Sequence, residues 1–82
     1  MSGETHELKT LQPWYDDVKE GRKTFEVRRN DCEFAVGDYL MLREYSPSNG
    51  YTGNCVLRRV AYVLNNFDGL HEGWIVMGLV KL

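Results

Sequence analysis

The chain is short of most features that announce a function outright. It has two cysteines, two prolines and two histidines in 82 residues. Cys32 and Cys55 are too few for a disulfide framework and lack metal-ligand spacing, so both are read as reduced structural thiols. His6 and His71 stand far apart with no acidic partner at ligand spacing, so no metal or other cofactor is expected. There is no glycine-rich phosphate loop, no H-E-x-x-H, and no serine or cysteine in a nucleophile-elbow setting. The longest apolar stretch, Trp74 to Val80, is too short to cross a membrane. "MSGETHELKTL" holds no apolar run of the secretory type, which makes the cytoplasm the expected location. Charge of one sign is missing as well. Ten Lys/Arg stand against twelve Asp/Glu, for a net charge of −2, which disfavours a protein that coats DNA.

What remains is the composition of an ordinary globular protein, 43% apolar and 27% charged, enough for one domain over residues 1–82 and no second core. "HELKTL" alternates weakly and reads as a first strand over 6–11. "TLQPWYDDVKEG" carries a helix signature: Pro13 at the start, Asp16 and Asp17 early, Lys19 late, and Gly21 as the stop. Leu11, Trp14 and Val18 fall at i, i+3 and i+7 and predict one apolar stripe with Trp14 in the core. "TFEVRRN" predicts a second strand with Phe25 and Val27 on its buried face and Thr24, Glu26 and Arg28 on the other. By position, Lys23 belongs to the turn before it. "NDCEFAVGD" is a loop ending in a Val-Gly-Asp turn, "YLMLREY" a third strand, and "SPSNGYTGN" a turn-rich hairpin connection. "CVLRRVAYVL" predicts a fourth strand over 55–64 with a bulge at Arg58-Arg59. "WIVMGLVKL" predicts a last strand buried on both faces, with Gly78 at a bend or close approach. The order β-α-β-β-β-β predicts a mostly β, α+β fold: a five-stranded, partly closed barrel with one short helix after the first strand.

One segment concentrates polar function. "GRKTFEVR", residues 21–28, places Lys23, Glu26 and Arg28 together, with Arg22 and Arg29 beside them. As surface chemistry this is a strand face carrying an ion pair. As a site it is a cleft in which Lys23 and Arg28 hold an anionic or carbonyl group and Glu26 orients Arg28. Trp14 or Tyr15 would line that cleft and stack a base, and Tyr45 and Tyr51, flanking the turn-rich loop, suit the same task.

Gly21, Lys23, Glu26 and Arg28 also fit the G-x-K-x-x-E-x-R motif of ASCH domains, within the PUA-like superfamily. The Pro-Trp helix before the motif, the Val36-Gly37-Asp38 turn and the Gly-Leu-Val ending of the last strand resemble that family too. The whole pattern is similar to a small bacterial and phage-associated ASCH-like group of unknown function. The resemblance implies a PUA-like barrel with its helix near one opening and RNA or a nucleotide-like ligand as the partner. With the aromatic and basic residues already named, the expected site is Trp14, Gly21, Arg22, Lys23, Thr24, Glu26, Arg28 and Tyr51. Lys23 and Arg28 would contact phosphate or base, Glu26 would position them, and Gly21 would allow the tight turn. Some ASCH proteins are amidohydrolases acting on acetylated cytidine, which would make Lys23 catalytic. That apparatus needs a threonine two residues before the motif's arginine, where this chain has Glu26. Thr24 is the nearby hydroxyl, and Glu72 is the only glutamate after Glu44. An RNA-binding module is therefore the first reading and a hydrolase the second. A module that binds a protein partner is the third. The oligomeric state is open, although an exposed edge on the last strand would suit a dimer.

Overall fold

The computed structural model describes residues 3–82. Its elements are β1 (Thr5–Thr10), α1 (Trp14–Lys19), β2 (Phe25–Arg29), β3 (Tyr39–Ser46), β4 (Gly50–Leu64) and β5 (Trp74–Val80). The strands form one mixed sheet in the order β1-β3-β4-β5-β2, curled into a half-barrel. β1 runs parallel to β3, and the other pairs are antiparallel. The mostly β fold with one short helix is thus as expected. β5, however, lies between β4 and β2, so the last strand has no free edge. The edges are β1 and β2.

The inward-facing residues follow from register. Leu40 and Leu42 on β3, Val56 and Val60 on β4, and Ile75, Met77 and Leu79 on β5 form the core, closed by Tyr15 and Val18 of α1 and by Phe34. Leu40, Leu42, Val60 and Met77 are completely buried, so truncating either leucine to alanine would cost about 2–5 kcal/mol.

Several expectations about faces are corrected. In α1, Tyr15 joins the core while Trp14 is 51% exposed, and Leu11 lies outside as well. The buried stripe is therefore Tyr15 and Val18. In β2, Glu26 pairs with Met77 and Arg28 with Ile75, so the charged residues face inward. Phe25 and Val27, opposite Gly78 and Val76, face outward and are each 44% exposed. β5 is fully buried on one face only, because Trp74, Val76 and Gly78 alternate with the core residues and are half-buried.

β4 is longer than expected, since only Pro47, Ser48 and Asn49 separate the paired residues Ser46 and Gly50. Leu57 to Arg59 stay in register with β3, and the irregularity against β5 falls between Val60 and Tyr62. The extra residue, Ala61, switches the inward position from Tyr62 to Val63. Arg58 keeps its inward parity because its Nη2 caps the helix, donating to the Val18 carbonyl at 3.1 Å. At Gly78 a Cβ would sit 3.5 Å from Cβ of Tyr62, an ordinary contact distance, so the expected close approach is not tight enough to require glycine.

The Val-Gly-Asp turn anchors β1 to β3. Asp38, 2% exposed, accepts the backbone N–H groups of Gly3, Glu4 and Ala35 and a bond from His6 Nε2 at 2.9 Å. His6 also stacks edge-on against Phe34, with centroids 4.7 Å apart. Cys32 and Cys55 are both free and exposed, so neither is a core thiol. No helix among the described residues is long and apolar enough to cross a membrane.

Candidate functional site

The connection from β1 to β2 carries the chain from one edge of the sheet to the other through α1. A cleft of about 670 Å³ opens along this seam. β1 and the start of α1 supply Thr10, Leu11, Trp14 and Asp17, and the turn and β2 supply Arg22 to Arg28 apart from Thr24. Gly21 shapes the turn: at φ +86° it holds the left-handed conformation, which costs a residue with a Cβ roughly 1–2 kcal/mol. Gly21 donates to the Val18 carbonyl, and Arg22 and Lys23 both donate to that of Asp17, which ends the helix and aims Lys23 back at β2.

Glu26 is the centre of the polar wall. It is 4% exposed, so its charge needs compensation. Lys23 Nζ donates to its Oε2 at 2.7 Å and Arg28 Nε to its Oε1 at 3.2 Å. Lys23 also bonds the Phe25 carbonyl at 2.7 Å, and Arg28 Nη2 bonds the Lys9 carbonyl at 2.7 Å. Three of the seven N–H donors on Lys23 Nζ and Arg28 Nη1 and Nη2 are used internally, and Arg28 Nη1 has no protein acceptor among the described residues. Arg22 is already paired, with Asp17 at 3.0 Å and with Glu20, and it is held firmly protonated first by its hydrogen bond to Glu20 and then by that to Asp17. Lys23, Glu26 and Arg28 together carry a surplus of one positive charge. The cleft thus combines a fixed cationic fork with an exposed indole and phenyl ring.

The structure brings Trp14, Arg22, Lys23, Glu26 and Arg28 to this cleft. Thr24 and Gly21 adjoin it without lining it. Tyr51 lies elsewhere, against Tyr45 with centroids 5.1 Å apart, and the Arg43 guanidinium covers its ring at 3.9 Å. Tyr15 is packed into the core, where burial above all raises the pKa of its phenol. Sequence reasoning missed Thr10, Leu11, Asp17, Phe25 and Val27 as lining residues. Thr10 shares the inward parity of Leu8, which was the available signal. No cluster of metal-ligating side chains occurs among the described residues.

Comparison with known proteins adds kinship. An uncharacterized 12.9 kDa protein in the GpA 3′ region of Escherichia phage P2 is 33% identical over 72 residues, which are 88% of this chain and 65% of that protein. The chain thus spans just under two thirds of that relative's length. The profile of a domain of unknown function, DUF3850, matches residues 5–79, from the start of β1 to the end of the core run of β5. By that match the chain belongs to the DUF3850 family.

Proposed function

We propose that the seam cleft binds RNA, taking one single-stranded nucleotide unit between Trp14 and the Lys23–Glu26–Arg28 group. The observation that carries this reading is a buried carboxylate spent on holding two cations. Glu26 fixes Lys23 and Arg28 in place, and Arg28 Nη1 is left to serve an outside acceptor. A guanidinium so held is suited to phosphate or a base edge. Trp14 and Phe25 expose aromatic surface in the same cleft, and stacking on such rings is how single-stranded bases are bound. The sequence resemblance of Gly21, Lys23, Glu26 and Arg28 to the motif of ASCH domains, a family within the PUA-like superfamily, supports RNA as the partner.

The hydrolase reading has less support. Glu26 stands where the amidohydrolases carry threonine, Thr24 does not line the cleft, and Lys23 spends its protons on Glu26 and Phe25. An amide NMR titration with short single-stranded RNAs and modified nucleosides tests the proposal. Shifts are expected at Trp14 and residues 21–28, and they should vanish in the Lys23→Ala/Arg28→Ala double variant. Unchanged binding by that variant would remove the site from this cleft.

A further inference from the structure

Thr10 ends β1 with its side chain turned inward, 3% exposed. Its Oγ1 is the buried side-chain polar atom without a hydrogen-bond partner among the described residues. Leu8, two residues earlier on the same face, packs against the core, whereas Thr10 forms part of the cleft wall with Leu11, Trp14, Glu26 and Arg28. A valine would fill the same volume without burying an unpaired hydroxyl. Native proteins leave few such groups, and each one asks for a partner that the fold itself does not supply.

The charges limit that partner further. Of the charged residues that line the cleft, Asp17 balances Arg22, and Lys23, Arg28 and Glu26 leave one positive charge to face the ligand; Glu20, the second partner of Arg22, lies outside the lining. One phosphodiester matches that surplus, while a di- or triphosphate would bring charge with no counterpart in the cleft.

We infer that Thr10 Oγ1 is a specificity contact for the ligand, bonding a polar atom on the edge of the ring that stacks at Trp14. The ligand class is a nucleotide unit bearing one phosphodiester, rather than a free nucleoside triphosphate. This rests on the nucleotide reading of the same cleft. The two cations hold the phosphodiester, the aromatic wall holds the ring, and Thr10 reads its edge as donor or acceptor.

The test uses four dinucleoside monophosphates (ApA, CpC, GpG and UpU) and ATP, titrated into wild type, Thr10→Val and Thr10→Ser, with thermal melts of each protein alone. The expected result is dinucleotide binding by wild type that exceeds ATP binding. Thr10→Val should weaken it roughly three- to tenfold, the worth of one hydrogen bond, while melting at the same temperature or higher. Thr10→Ser should bind nearly as wild type. Equal dinucleotide binding by Thr10→Val would overturn the role of Thr10 and leave the nucleotide reading standing. Tighter binding of ATP would overturn the phosphodiester assignment. A lower melting temperature for Thr10→Val would show that the hydroxyl is satisfied inside the fold, by an ordered water, and would overturn the inference. Absence of dinucleotide binding by wild type would remove the nucleotide reading itself, and this inference with it.

Discussion

Arg28 Nη2 lies 2.7 Å from the carbonyl oxygen of Lys9 and joins the two edge strands, which share no ladder of their own. The same guanidinium holds one oxygen of Glu26. Replacing Arg28 with methionine would remove both contacts and leave Lys23 as the only cation on a buried carboxylate. A loss of about 1–3 kcal/mol is expected, read as a lower urea midpoint at unchanged slope. A midpoint equal to wild type would mean that the seam bond contributes nothing to stability.

Trp14 and Tyr15 are neighbours with opposite surroundings, 51% and 3% exposed. Tyr15→Ala should cost about 3–5 kcal/mol, as for other buried aromatics. Trp14→Ala should leave the melting temperature nearly unchanged but lower affinity for single-stranded RNA by about 1–3 kcal/mol, the worth of one base stack. Melts and titrations on both variants separate the two roles. Undiminished RNA binding by Trp14→Ala would take the indole out of the site.

The surplus charge of one in the cleft predicts a shallow salt dependence. With one or two phosphates engaged, the logarithm of the association constant should fall against log salt with a slope of about −0.7 to −1.4. Titrations between low and high salt would measure it. A much steeper slope would require a footprint extending well past the seam.

Asp38 ties stability to acid. Burial alone would raise the pKa of its carboxyl, but the His6 hydrogen bond and the N–H groups of Gly3, Ala35 and Glu4 outweigh it and hold it below its ordinary 3.8. A carboxyl depressed in the folded state contributes its full stability above the unfolded value and loses it as pH falls through the folded one. The denaturation midpoint should therefore drop as pH goes below about 3.8. In Asp38→Asn it should start lower and be flatter across that range. Parallel pH profiles for the two proteins would rule out this source of acid sensitivity.

Much of the fold was legible because strand and helix signals here are local. Alternation marked β2, an unbroken apolar run marked β5, and Pro13, the early aspartates and Gly21 marked α1. Alternation fixes which residues share a face but not which face is inside. In β2, a central position would have buried Phe25 and Val27. At an edge beside a cleft, the ion-paired Glu26 goes in and the apolar residues stay half-exposed. Trp14 was misplaced for a related reason: both Trp14 and Tyr15 are large and apolar, and only the position of the sheet decides which one the helix buries. The candidate site was legible as a motif, so Trp14, Arg22, Lys23, Glu26 and Arg28 were all named beforehand. Thr10 was not, because its importance comes from lacking a partner, and that depends on contacts across the seam.

The strand order also has a bearing on how the molecule is assembled. β3, β4 and β5 follow one another along the chain and pair in sequence order, so their contacts close short loops. β1 must find β3 from Thr5 to Tyr39, and β2 must find β5 from Phe25 to Gly78, across much longer stretches of chain. Loop-closure entropy favours the meander as the folding nucleus, with the outer strands adding afterwards. Substitutions at Leu42 or Val56 should accordingly slow folding, while those at Val27 or Arg28 should mainly speed unfolding. The seam cleft, walled by both late strands, is then the last part of the protein to exist.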